Sequence, residues 1–123
     1  MTTQEVADKL VAYCRNMQFE EAMKELYSPE IVSVEPAGSP APLCEGIEAV
    51  AAKGQQFAEM TEEMHSNEVS DPVVAENFFS CSMRMDITLK GAPRMSMEEV
   101  CVYQVRDGKI VREEFFFTPQ QQN

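Results

Sequence analysis

The chain of 123 residues has no tryptophan, a single histidine (His65) and no CxxC pair among its four cysteines. These gaps exclude the usual structural zinc patterns, which need several thiols and imidazoles at fixed spacing, so no metal is expected. Cys14, Cys44, Cys81 and Cys101 are scattered. They read as small buried hydrophobes of a reducing compartment, not as disulfides. Positive charge is also scarce: 10 Lys and Arg stand against 21 Asp and Glu, a net charge of −11. A polyanion such as DNA, RNA or an anionic membrane surface would be repelled, so no nucleic acid and no membrane partner is expected. No apolar run reaches the roughly 18 to 20 residues of a membrane span. The first residues lack the apolar centre of a signal peptide, and a cytosolic protein is expected.

What is present is ordinary for a globular domain: 44% apolar and 25% charged residues, enough for one core. Thr2 followed by Glu5 forms a capping-box pattern, and Val6, Leu10, Tyr13, Cys14 and Met17 fall at helical spacing, predicting a helix over about 3–17. Phe19, Ala22, Met23, Leu26 and Tyr27 predict a shorter helix that Pro29 cannot continue. Ile31 to Glu35 reads as a strand entering a loop broken by Pro36, Gly38, Pro40 and Pro42. From Gly46, residues Ile47, Val50, Ala51, Phe57, Ala58 and Met60 share a face, predicting a third helix to about Glu62.

The period then changes to two, and the remaining half reads as strands separated by Asp71-Pro72, Lys90-Gly91-Ala92-Pro93 and Asp107-Gly108. Helices first and a meander afterwards imply an α+β domain. Residues 1–117 are expected to form one domain and 118–123 a polar tail. In Phe79–Leu89 the odd positions are apolar and predict the inner face. Arg106-Asp107-Gly108 suits a type I turn followed by a left-handed glycine, which pairs Val105 with Lys109, Tyr103 with Val111, Cys101 with Glu113, Glu99 with Phe115 and Met97 with Phe117. Glu99 and Glu113 then face inward among apolar residues. A two-residue turn would reverse the faces.

Leu26-Tyr27 ahead of a strand, Val34-Glu35-Pro36-Ala37-Gly38-Ser39-Pro40, a helix led by Gly46, and the run Tyr103 to Val111 occur in an order and spacing that resembles the SnoaL-like branch of the nuclear transport factor 2-like superfamily. The resemblance implies three N-terminal helices packed on a strongly curved mixed or antiparallel sheet, a cone-like barrel with a pocket between the first helix and the inner face. Ketosteroid isomerase, a relative, carries its catalytic aspartate in an acid-Pro-x-Gly-Ser segment, whose acidic place falls here on Glu35. Its second acid falls at about Cys101 or Val100, neither a comparable donor, and its helical tyrosine falls near Val11. Tyr13 stands two positions away, on another helical face.

The candidate catalytic groups are therefore Glu35, Glu113 and His65. Each has a plainer reading: a solvated strand end, a carboxylate reaching the rim because unpaired burial is costly, and a hydrogen-bonded wall residue. Candidate substrate contacts are Tyr13, Met17, Phe57, Met83, Met85, Glu99, Cys101, Tyr103 and Phe117, although methionines also fill irregular cores. Val100, Val102 and Phe116 sit on the outer face where polar residues belong, which predicts a homodimer. Two functions fit. One is a cofactor-free acid–base enzyme (isomerase, cyclase, dehydratase or hydrolase) on a small apolar molecule; the other is a ligand-binding or dimerisation module with the same cavity. Convergence of Glu35, Glu113 and His65 on one space would separate them.

Overall fold

The Thr2 hydroxyl accepts from the Glu5 amide at 3.1 Å while the Glu5 carboxylate accepts from the Thr2 amide at 3.0 Å, so the capping box forms. It starts α1, Thr3–Arg15, in a computed structural model that describes residues 1–119. The tail expected at the C-terminus lies, from residue 120 onward, outside the described residues. Helix α1 ends two residues earlier than its apolar period predicts, because Met17 adopts a positive φ of 56° and turns the chain into α2, Phe19–Leu26.

Strand β1, Tyr27–Val34, starts immediately after α2 and is longer than the segment 31–35 expected from β-branched residues. Pro29 lies within it, where the register between Tyr27 and Val32 is broken, so its missing donor interrupts no regular ladder. After the proline loop come β2, Leu43–Glu45, α3, Ile47–Met60, β3, Thr61–Val69, and β4, Val73–Ala75. Three strands complete the chain: β5, Phe78–Leu89, β6, Met95–Arg106, and β7, Lys109–Phe116.

The sheet runs β2-β1-β7-β6-β5-β3, with β4 added beside β5; β1 and β7 are parallel and the other pairs antiparallel. It does not close, since β2 and β3 remain as edges. Three helices on a mixed, curved sheet make the cone-like α+β architecture.

The core lies between the sheet's inner face and the helices, built from Val6, Leu10, Leu26, Ile31 and Ile110, with Phe79 stacked on Tyr103 at 4.7 Å. The odd positions Phe79, Cys81, Met83 and Ile87 are buried, as alternation predicts. Among the described residues no helix is long and apolar enough to cross a membrane.

The last hairpin differs from its expected register. Asp107 and Gly108 have φ of 52° and 76°, and Arg106 pairs with Lys109, so the turn has two residues. Such a turn alone would reverse the faces, but the register shifts between Gln104 and Val105, leaving Val111 as an extra residue on β7. Beyond this bulge Tyr103 opposes Glu113 and Cys101 opposes Phe115. The slip is two residues, and Glu113 still faces inward.

Candidate functional site

Inward alternation along β1 places Ile31, Ser33 and then Glu35 on the inner side, with Ile31 and Ser33 both fully buried. A buried serine hydroxyl needs partners. Ser33 donates to Glu113 Oε2 at 2.8 Å and accepts from Lys53 Nζ at 2.7 Å. The other Glu113 oxygen accepts from the Tyr27 hydroxyl. Glu113, 3% exposed, thus has both oxygens satisfied by hydroxyls of β1 and no cation in direct contact.

Lys53 extends from the same side of α3 as buried Val50, and its ammonium pairs with Glu35 Oε2 at 2.8 Å. Its Nζ lies 5.4 Å from the centre of the Phe115 ring. The Glu35 amide donates to Pro42 O at 2.9 Å, closing the proline loop and fixing the strand end that carries the carboxylate.

Glu99 stands on the inner side of β6, and Cys101 Sγ donates to its Oε1 at 3.7 Å. Burial pushes the Glu99 carboxyl up to about 7; the Cys101 thiol and Lys53 oppose the rise, and the charges of Glu35 and Glu113 add to it. Burial likewise raises Glu113, against the hydroxyls of Tyr27 and Ser33 and the Lys53 charge. Burial and the neighbouring Glu113 carboxylate hold the Tyr27 phenol well above its usual range, so it acts as a donor. Burial raises the Cys14 thiol, on the facing side of α1, to about 12.

Glu35 therefore pairs directly with Lys53, Glu113 reaches the lysine through Ser33, and Glu99 feels its charge from farther off. Among the described residues no three His, Cys, Asp or Glu side chains are grouped closely enough to hold a metal ion. Beside the Glu35–Lys53 pair opens a groove of about 470 Å³ lined by Glu35, Pro36, Glu114, Phe115, Phe116, Phe117 and Thr118.

The expected site residues divide. Glu35, Glu99, Cys101, Glu113 and Phe117 lie in or beside the cluster. His65 lies apart, its Nε2 hydrogen bonding with Thr88 Oγ1 at 2.8 Å and its Nδ1 facing Glu63 at 2.9 Å, so the expected convergence of Glu35, Glu113 and His65 on one space is met by the two carboxylates and not by the imidazole. Tyr13 donates to Glu25 Oε1 at 2.6 Å, a carboxylate also bound by Lys9. This joins α1 to α2 and keeps its hydroxyl out of the cluster. Met17 is 51% exposed beyond α1, Tyr103 and Met83 are core, Met85 packs on that core, and Phe57 is half-buried on α3.

Tyr27, Ser33 and Lys53 are not among the site residues expected from the sequence. A serine alternating with Ile31 on an inner face, and a lysine between Val50 and Phe57 on a helix's apolar side, are the signals that point to two of them.

The SnoaL-like domain family matches residues 1–117. No functionally curated protein matches the chain. Among solved structures, a Mesorhizobium loti protein provisionally described as a SnoaL-like polyketide cyclase, with carbohydrate phosphatase in brackets, is 30% identical. It aligns with a TM-score of 0.89 over 95% of this chain and 100% of its own. A nuclear transport factor 2-like protein of Burkholderia pseudomallei shares the fold at 15% identity and TM-score 0.78, covering 96% and 92%. So does a Catenulispora acidiphila protein of ketosteroid isomerase-like fold, at 15% identity and TM-score 0.73, covering 93% and 85%. With the match spanning both ends of the sheet and the cluster between them, the chain belongs to the SnoaL-like domain family.

Proposed function

We propose that the chain catalyses proton transfer next to a carbonyl in a small, mostly apolar molecule, in the manner of an isomerase or a cyclase. The observation that carries this is the Lys53–Glu35 pair beside a groove with phenylalanine walls, backed by buried Glu113 linked to the lysine through Ser33 and by buried Glu99 on the neighbouring strand. The description of the Mesorhizobium loti relative as a polyketide cyclase points to the same chemistry, since aldol-type ring closure begins with removal of a proton beside a carbonyl. Glu99 fits the acid–base role best. A carboxyl near about 7 is divided between its two forms at neutral pH, so it can take a proton in one step and return it in the next. Glu113, with both oxygens engaged, anchors Ser33 and Tyr27.

The test is hydrogen–deuterium exchange at the α-carbon of a model ketone such as tetralone, followed by proton NMR in heavy water. The parent is expected to accelerate exchange saturably, and Glu99→Gln to slow it on the order of a hundredfold or more. Exchange no faster than in buffer, or equal in the variant, would overturn the assignment.

One observation favours a ligand-binding module instead: Glu113 and Glu35 are both already partnered, which suits a rigid wall as well as a catalyst. On that reading ligands bind but no exchange occurs. The four free thiols support a reducing compartment such as the cytosol.

The second copy of this chain is the partner we favour. Val100 and Phe116 are cross-strand neighbours on the outer face, 48% and 50% exposed. Around them Arg84 pairs with Glu98, Arg94 with Asp86 and Arg112 with Glu114. In a chain of net charge −11 these pairs offset the charge next to Val100 and Phe116, so two copies can meet there with less repulsion than their total charge implies.

A further inference from the structure

An ammonium has three hydrogens to donate and no acceptor. Two directions from Lys53 Nζ are taken by Ser33 Oγ at 2.7 Å and Glu35 Oε2 at 2.8 Å. The Phe115 ring borders a third, its centre 5.4 Å from Nζ, and Phe115 and Glu35 are also walls of the rim groove. The lysine side chain is only 20% exposed, so its head group is held against the groove walls Glu35 and Phe115 and does not wander in solvent. The two bonds it makes fix its position without exhausting its donors. Ser33 does not require it, because the serine hydroxyl already donates to Glu113.

We propose that Lys53 is the substrate-oxygen site of this chain: its free N–H direction receives the carbonyl oxygen of a flat, largely apolar ketone whose body lies against Phe115 and Phe117. This rests on the proton-transfer reading above and narrows it to a substrate class. When the Glu99 carboxylate removes the α-proton, the C–H pair becomes the new carbon–carbon π bond and the carbonyl π pair moves onto oxygen. The oxygen charge that forms then faces a fixed ammonium in a partly water-excluded site, where it is held more strongly than in water. Return of the proton from Glu99 to another carbon completes isomerisation, and attack of the enolate carbon on a second carbonyl, with the Glu99 proton passed to the alkoxide that forms, completes ring closure, in both cases with no net change in electrons. Glu35 keeps the ammonium oriented, and the Phe115 and Phe117 rings favour planar, unsaturated substrates over sugars or charged metabolites.

Naphthols of graded acidity place a partly or fully anionic oxygen on a flat ring and serve as stable enolate mimics. Their affinities for the parent, Lys53→Met and Lys53→Arg proteins are measured by fluorescence titration, with naphthalene as the oxygen-free control. In the parent, affinity is expected to rise with naphthol acidity. In Lys53→Met the most acidic naphthol should weaken on the order of tenfold to a hundredfold, the worth of a hydrogen bond to a charged group. Naphthalene should bind equally to both, and Lys53→Arg should recover most of the loss. Should the loss of Glu35's partner unsettle Lys53→Met, the double variant Lys53→Met/Glu35→Gln repeats the comparison without an orphaned carboxylate.

Equal weakening of naphthalene and naphthols, no dependence on acidity, or no naphthol binding would overturn the proposal. Tetralone exchange in the same variants separates the two levels. Lys53-dependent naphthol binding without any exchange in the parent removes the catalytic reading and leaves the oxygen site standing. Exchange that persists undiminished in Lys53→Met removes the oxygen site and leaves the catalytic reading.

Discussion

At the scale of single residues, the inner carboxyls tie the candidate chemistry to stability. Burial holds Glu99 at about 7, whereas an unfolded glutamate releases its proton near ~4.3. Above that lower value the unfolded chain ionises freely while the fold resists. The contribution of Glu99 is therefore complete below the unfolded value and is lost as pH climbs through about 7. Glu113, raised in the same direction by its burial, adds to the trend. A Glu99→Gln protein carries no such penalty. Urea unfolding at about pH 5 and about pH 8 should show the parent weakening toward the higher pH, and the variant weakening less by on the order of 2 kcal/mol after allowance for partial exposure. An identical pH dependence in both proteins would mean that Glu99 ionises in the fold as easily as in water.

At the scale of elements, alternation and capping were legible in the sequence, while register and convergence were not. The odd inner face of β5 follows from side-chain period alone, and α1 begins where Thr2 and Glu5 cap it. The final hairpin depends on a detail that local residues underdetermine, because Asp107-Gly108 suits more than one turn. The structure combines a two-residue turn with a bulge at Val111, and two departures of one residue cancel in parity. The expected pairing of Glu113 with Cys101 is therefore incorrect while the inward face it implies is correct. Lys53 is not legible as a site residue because a charged residue beside the apolar face of α3 reads as a solvated flank until β1 brings Ser33 and Glu35 to it. Glu35 was visible through its Val34-Glu35-Pro36 setting, but a pairing between α3 and the end of β1 cannot be read from periodicity. The bulge itself is testable. Deleting Val111 while the two-residue turn is kept would join Ile110 to Arg112, still opposite Val105 and Gln104, so every later residue of β7 keeps its face and only the local twist of the bulge is lost. The variant is expected to keep cooperative unfolding by circular dichroism, with a modest loss of stability. Loss of cooperative unfolding would show that the fold needs the twist of the bulge and not only the register it sets.

At the scale of the whole molecule, the sheet has one face committed to the core and one left to solvent, and on the second the apolar residues sit together instead of singly. Val100 pairs across the ladder with Phe116, and Val102, half-buried, stands two residues along the same strand opposite Glu114. Three ion pairs offset much of the charge around them, in a chain whose acid otherwise exceeds its base. If two copies meet on this face, Val102 lies within the contact, and Val102→Lys would place a cation there with no carboxylate left unpaired to receive it, because Glu114 is already held by Arg112 at 3.1 Å. An uncompensated charge in a desolvated contact costs several kcal/mol, about a thousandfold in association. On the free monomer the same lysine points to water and costs little, so the fold should survive. Sedimentation velocity should then show a dimer for the parent and a monomer for Val102→Lys, with nearly unchanged thermal midpoints at protein concentrations where both are monomeric. A parent that sediments as a monomer, or a variant that dimerises as tightly as the parent, places the contact elsewhere and leaves the exposed Val100 and Phe116 without a partner of this kind.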